Sequence, residues 1–574
     1  MTAALAALFA FIAYFLAYRF YARFLANKIF QLNPDRKTPA HTLSDGVDYV
    51  PSRTPVLFGH HYASITGLAP MLGPAVAVIW GWFPAMLWVV LGAIFIGCVH
   101  DFSALVLSVR AQGKSVGKIA EAVIGRRART LFLLIIFFGI ALAMGVFVFV
   151  IGKLLAQPAD GGLGYNEAAL PSGLLMVIAA TAGYLLYKKK FPFAPVIAVG
   201  FVLELGSIWL GLEWKDSFGS WPAPDTWMYI LLGYAFLASV LPVWTLLQPR
   251  DFLNSLLLYL GLGLAYLGLF VSNPSFDAPA LVTNPTNAPA MFPFVFIIIA
   301  CGAASGFHGL VSSGTTAKQL DREPQARVIG YGGMVGESLL GLLAVLACTA
   351  GFSAMNGETA ADVWSGHYGD YDTIAQNLPA KLGHFIEGTT SFLTSLGISA
   401  ELASALIAMV VVSFALTTLD SATRLLRFNI EELSSTYRVP VLTNRYVSSL
   451  LACLVIGFFA FYKVDGKSAG LALWALFGST NQLLAGLTLV LVTLYLKHRD
   501  KPTWYTGIPA VFMMSSTVVA MVINLKEHYQ NDKTLLFIVG SILLLLGVGI
   551  LFEAIAALRR PTKTDDPEIH FDTT

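Results

Sequence analysis

The sequence predicts an all-α polytopic membrane protein of about fifteen transmembrane helices, built as two inverted sets of five with extra helices around them. Three observations carry this. Hydrophobic residues make up 56% of the chain and charged ones 12%, with a mean hydropathy of +0.70, too little charge to coat a soluble globule of 574 residues. Apolar runs long enough for about 30 Å of hydrocarbon recur from Ala3 to Leu558, where an outer-membrane barrel would show short alternating strands. Two of these runs, Val56 to Gly81 and Met291 to Thr316, are broken halfway by small and polar residues.

In chain order, residues 1–29 form an extra N-terminal span without the small-residue cleavage site of a signal peptide. Residues 30–212 hold the first set of five, 213–290 two extra spans, 291–500 the second set, 501–560 two C-terminal spans and 561–574 a tail. Alternate connections carry the basic residues, among them Arg23, Arg110, Lys114, Lys188, Arg250, Lys318, Arg322, Arg424, Arg427 and Lys497. The intervening ones carry acids, including Asp160, Glu167, Asp216, Asp277, Asp362, Asp372 and Glu387. The positive-inside rule then gives an extracytoplasmic N-terminus and a cytoplasmic C-terminus. Because each set holds an odd number of spans and two spans separate them, the sets face opposite ways. Gly113 to Gly125 has the pattern of a short interfacial helix, and Tyr371 to Leu382 with Phe385 to Leu396 that of a helical lid in the long acidic loop. Cys98, Cys301, Cys348 and Cys453 fall inside spans without CxxC spacing and read as packing residues.

The chemistry-bearing residues concentrate at the interruptions. In the first, His60, Ser64 and Gly67 share a helix face, and Pro70, Gly73 and Pro74 prevent regular hydrogen bonding, so backbone groups there need protein, water, ion or solute as partners. His61 lies beside them. In the second, His308, Ser312 and Thr315 repeat the spacing, followed by Ser313 and Thr316, with Ser305 to Gly314 as the polar centre. Half-helix N-termini with hydroxyls and imidazoles would suit a carboxylate. A third cluster, Thr417, Thr418, Asp420 and Ser421, offers oxygen ligands to a hard cation; the competing reading has the hydroxyls bonding their own helix and Asp420 pairing Arg424.

Asp101, Glu204 and Glu337 are further carboxylates at membrane depth, and so candidates for ion coupling. His100 and Asp101 are expected on different helix faces, with one of them looking inward, and neither Glu204 nor Glu337 has a partner nearby in sequence. A zinc reading of His60, His61, His100 and Asp101 lacks helical ligand spacing. Ser479, Thr480, Asn481 and Gln482 in FGSTNQLLAG predict interhelical hydrogen bonds.

The strings VPSRTPVLFGHHYASITGLAPMLGPAVAVIWGW, GCVHDF and ASGFHGLVSSGTTAKQL resemble the bacterial carbon starvation protein A family, a resemblance running from about Phe30 to Lys497. It implies an importer in the cytoplasmic (inner) membrane, linked to peptides or pyruvate, to scavenging in carbon starvation and to an ion gradient. It also implies the LeuT-like five-plus-five inverted repeat of the amino acid, polyamine and organocation transporters. From that group the first-break role falls to Gly67, Leu68 and Ala69, and the second to Ser305, Gly306 and Phe307. Thr417 and Thr418 resemble a sodium-holding hydroxyl pair, with Asp420 departing from that pattern toward proton coupling.

The expected function is a secondary transporter for a small solute in a lipid bilayer, coupled to protons or sodium, with no cofactor, no nucleic-acid partner and no enzymatic step. The alternative is an intramembrane metal-dependent hydrolase. No Walker A, HExxH or suitably placed GxSxG motif appears.

Overall fold

A computed structural model describes all residues except 158–163, 216, 218–220, 354–357, 372–377, 465, 469–473 and 560–574. Asp160, Asp216, Asp372, part of the Tyr371–Leu382 stretch and the 561–574 tail therefore lie outside the described residues. The fold is almost wholly helical, with one pair of two-residue strands, Lys463–Val464 and Lys467–Ser468.

The helices are α1 (Ala3–Ile29), α2 (Thr54–Ile65), α3 (Ala69–Ala77), α4 (Trp82–Arg110), α5 (Val116–Val123), α6 (Arg126–Leu155), α7 (Asn166–Lys188), α8 (Phe193–Trp214), α9 (Pro224–Val240) and α10 (Leu247–Ser272). There follow α11 (Met291–Ile298), α12 (Gly306–Gly314), α13 (Glu323–Ala350), α14 (Ala360–Tyr368), α15 (Leu378–Thr394), α16 (Ala400–Tyr437), α17 (Arg445–Phe461), α18 (Trp474–Lys497), α19 (Trp504–Gln530) and α20 (Thr534–Leu558). Among the described residues, 11 helices are long and apolar enough to cross a membrane, or 12 with the bent pair α2–α3. The fifteen crossings expected from the sequence are not reached by this measure. Three segments fall short: α9 and α17, at 17 residues each, and the second broken pair, whose halves have 8 and 9.

Both interruptions are present, and each has a local cause. Pro70 cannot donate to the Thr66 carbonyl, and Thr66 leaves helical geometry at φ −83, ψ 90; α2 and α3 meet at 48°. In the second, Gly302 takes φ +89, a conformation open to glycine, and Ser305 is extended at φ −124, ψ 128 before α12 begins. The two breaks adjoin: Gly73 lies against the Ile298 carbonyl and Gly302 against Pro70.

Around them stand α13, α16 and α18, buried over 83%, 89% and 89% of their apolar windows, whereas α8 and α20, at 28%, turn most of their surface outward. At 38 residues, α16 runs about 57 Å and passes the breaks at its middle. At the basic end, buried Glu323 accepts from Arg36 (2.8 Å), Arg110 (2.7 Å) and the Asn33 amide (2.7 Å), tying the segment before α2 to α4 and to the start of α13. Here α5 appears where an interfacial helix was expected, capped by Ser115. At the opposite end α14 and α15 supply helices in the acidic loop, and α15 packs on α10, α13 and α16.

Lys381 of α15 is buried; its ammonium donates to the His367 carbonyl (3.2 Å) and lies 4.7 Å from the centre of the Tyr368 ring. Burial pushes it down from 10.5 to about 8. Between those values the unfolded chain holds a proton that the folded protein has released, so this residue makes stability rise with pH across that window. Lys381→Met should therefore raise the apparent thermal midpoint at pH 7 and flatten its rise between pH 8 and 10 relative to the parent. Parallel pH profiles of the two proteins would contradict this.

Candidate functional site

Where the two breaks meet α6, α16 and α18 lies a cavity of about 30 Å³, lined by Gly67, Ala69, Phe147, Cys301, Phe307, Thr418 and Asn481 among others. This is room for about one water. A larger space of about 330 Å³ opens on the basic side, and Ile140 and Leu310 line both. These two side chains stand where the two spaces adjoin.

The shared face of the first broken helix looks toward α10 and α16. His60 Nδ1 lies 2.6 Å from Asp251 Oδ2, Ser64 bonds Ser421 (3.0 Å), and Gly67 lies against Thr418. Leu68 is buried at the start of α3 and Ala69 faces the cavity. His61 turns away to Thr316 Oγ1 (2.9 Å). In the second break, Asn481 of α18 binds the polar backbone and side chains together: its Oδ1 accepts from the Phe307 amide (3.0 Å) and Ser305 Oγ (3.1 Å), and its amide donates to Cys301 Sγ (3.2 Å). Gly306 packs directly on Asn481 and Leu484. Ser312 is fully buried, its hydroxyl without a hydrogen-bond partner among the described residues, and Ser313 faces the larger space.

Two ionic clusters flank the cavity, both with side chains removed from solvent. In one, Asp101 receives His100 Nδ1 (2.7 Å) and His308 Nδ1 (2.8 Å), while His308 Nε2 lies 3.0 Å from Glu337 Oε2. One imidazole thus joins two carboxylates from α4 and α13. His100 and Asp101 do not diverge as expected, because α4 is buried on every side from Cys98 to Arg110 and has no lipid face to assign to either. Glu337 finds its partner across the fold. Glu204 stands apart on α8, with neither oxygen hydrogen-bonded among the described residues.

In the other cluster, Arg250 pairs with Asp251 (2.8 Å) and contacts Asp420 and Tyr234 at short range; Tyr234 also bonds Asp420. The sequence reading had put Arg250 in a cytoplasmic connection, yet it is wholly buried in the first turn of α10, where two aspartates balance it. Arg424 is likewise buried and donates to the Ala238 and Leu241 carbonyls, so Asp420 pairs with Arg250 and not with Arg424. Thr417 accepts from Asn254 (2.8 Å) and donates to the Ser413 carbonyl (2.8 Å), and Ser421 is held by Ser64, whereas Thr418 Oγ1, Asp420 Oδ1 and Asn254 Oδ1 are without a hydrogen bond among the described residues.

Sequence reasoning missed Tyr234, Asp251 and Asn254. Asp251 was signalled by its adjacency to Arg250 inside a long apolar run; Tyr234 and Asn254 carry no local signal. His60, His61 and His100 go to three separate partners, so they do not form the zinc set considered above. Among the described residues, Cys301, His308 and Glu337 form the one group of three such side chains whose potential ligand atoms all lie within 4.8 Å of one another.

A helical bundle wrapped around two adjoining helix breaks, with buried ionic clusters beside a central cavity, defines a polytopic membrane protein organised around an intramembrane site. The model of the family "Carbon starvation protein CstA" matches residues 2–520, and the chain belongs to that family. It is 34% identical to "Peptide transporter CstA" of Escherichia coli K12 over 88% of this chain and 79% of that protein, and 31% identical to the protein of the same name from Bacillus subtilis 168 over 97% of both. It is also 32% identical to "Pyruvate/proton symporter BtsT" of Escherichia coli K12, over 89% of this chain and 80% of that one. Among solved structures, a manganese transporter of Eremococcus coleocola aligns over 90% of this chain and 99% of its own at 12% identity and a TM-score of 0.45. MhsT with L-phenylalanine aligns over 88% and 98% at 13% and 0.41. Both are too distant to bear on the fold or function.

A methyl group at position 67 would lie 2.7 Å from Thr418 Oγ1 and 3.0 Å from Phe147 Cε2. Gly67→Ala should therefore cost about 1–3 kcal/mol of stability by overpacking. Gly67→Ala with Thr418→Ala should recover part of it, read from thermal midpoints as a double-mutant cycle. Strict additivity of the two substitutions would contradict the contact.

Proposed function

We propose that this chain is a proton-coupled secondary transporter that imports a small carboxylate or zwitterion, a peptide or pyruvate, by alternating access. The observation that carries the reading is the cavity where the two breaks adjoin, because α3 and α12 both begin there: Ala69 and Phe307 line it. The positive dipole ends of both half-helices thus converge on one place, which favours an anionic group. The names of the relatives as peptide transporters and a pyruvate/proton symporter support the same solute classes. They support transport over the hydrolase alternative, as no substrate chemistry is implied by those names.

For the coupling ion, Arg250 already lies against Asp420, so a sodium ion at the Thr417–Ser421 cluster would have to sit beside a guanidinium. His308, held between Asp101 and Glu337, is suited to take and return a proton as its surroundings change. The solute would contact Gly67, Ala69, Phe307 and Thr418, with Ser64, Leu68, Ser305 and Gly306 shaping the breaks. We read residues 30–212 and 291–500 as inverted repeats in a bacterial cytoplasmic membrane. The end bearing Lys114, Lys318 and Arg427 would then face the cytoplasm, the N-terminus the outside.

In proteoliposomes, labelled pyruvate or a labelled dipeptide should accumulate when a proton gradient is imposed and not when a sodium gradient replaces it. Uptake driven by sodium alone would overturn the coupling assignment. Uptake of neither solute under either gradient would overturn the solute class.

A further inference from the structure

The larger space beneath Ile140 and Leu310 carries its own charge pattern. Its acids already have partners. Glu432 accepts from Ser115 Oγ at 2.9 and 2.8 Å, and Glu431 from Arg427 (3.3 Å) and Ser448 (3.0 Å). Nearby, Asp45 accepts the backbone amides of Val47, Asp48 and Tyr49 at 2.8–2.9 Å, and Asp48 lies 3.5 Å from Arg424.

Lys318 differs. Its ammonium lies 4.2 Å from the centre of the Phe428 ring and 5.4 Å from that of Tyr49, and it has no ion pair or hydrogen bond among the described residues. The two rings fix a cation without neutralising it. Its stem rests on Gly113, at φ +71, where an added Cβ would come within 3.3 Å of Lys318 Cγ and 3.0 Å of the Tyr49 ring. Beside it Asn429 is buried and leaves Oδ1 without a partner among the described residues, an acceptor for hydration water or an N–H group. Lys318 also lies four residues past Gly314, the end of α12, whose first turn faces the central cavity.

We propose that this vestibule is a second anion site, built on Lys318, that takes the carboxylate of the solute once it has passed Ile140 and Leu310. The identity of the anion rests on the transport reading above; the site itself rests on the vestibule. Of the acids around this cavity of about 330 Å³, Glu431 and Asp48 are balanced by Arg427 and Arg424, and Lys114 lines it together with Lys318 and Glu432, so a cation without an ion pair of its own is left to attract a small monoanion with room for its hydration. A waiting site on the release side would lower the tendency of the solute to return through the closing gate.

The test uses the full chain in nanodiscs with Ser435→Cys at the vestibule mouth. Position 435 is exposed and the four native cysteines are buried, so the added thiol dominates labelling. Pyruvate should slow its modification by an anionic methanethiosulfonate several-fold, and neutral pyruvamide should not. With Lys318→Gln added, the protection should vanish and the ratio of anionic to cationic reagent rates should fall several-fold; Lys318→Arg should retain both. Equal protection in the Lys318→Gln protein, or equal protection by pyruvamide, would overturn the proposal. Protection that depends on Lys318 in a protein that takes up no labelled pyruvate would uphold the vestibule site and overturn the transport reading instead.

Discussion

A guanidinium buried in an apolar bundle has to be balanced within the protein, and Arg250 sets much of the arrangement around it. It ties α10 to α9 through Tyr234 and to α16 through Asp420, while its neighbour Asp251 reaches α2 through His60. Removing one partner of such a cluster leaves an uncompensated charge and costs about 3–5 kcal/mol, so these helices are held in register. The first broken helix is thereby pinned on its basic-side half, just before the backbone opens at Thr66. The break can stay irregular because its flank is fixed.

The second broken helix is fixed differently. Asn481 satisfies the Phe307 amide and the Ser305 hydroxyl, and His308 is held from both sides by carboxylates. One break is thus braced by a permanent cation and the other by an imidazole, whose charge can change. In the proposed cycle that asymmetry would make one of the pair rigid and the other switchable. Between them the cavity is nearly closed in this conformation, while space on the basic side remains open as far as Ile140 and Leu310.

The helical class and both interruptions were legible from composition and from Pro70, Gly73, Pro74 and the glycine-serine run after Cys301, since prolines and polar residues in apolar sequence act locally. So was the common face of His60, Ser64 and Gly67, a matter of helical period alone. The partners were not. Asp251, Tyr234 and Asn481 lie 191, 186 and 176 residues from the groups they bind, namely His60, Asp420 and Ser305, and nothing in the local pattern couples them. Charge counting misled at Arg250 and Arg424 because it assumes that a basic residue near the end of an apolar run sits in a loop. Here buried acids and carbonyls let both lie inside helices. Length and apolarity give 11 or 12 crossings among the described residues, and α9, α17 and the halves of the second broken helix are each too short to be counted by that measure.

In the proposed transport cycle a proton moves with the solute through His308 and Glu337. This coupling is tested most directly by recording the pH inside proteoliposomes on addition of pyruvate, with the parent protein and with Glu337→Gln. The lumen should acidify as pyruvate enters through the parent protein, and Glu337→Gln should lose that signal while exchange of labelled for unlabelled pyruvate continues. A pyruvate-dependent proton signal of full size in Glu337→Gln would contradict this coupling.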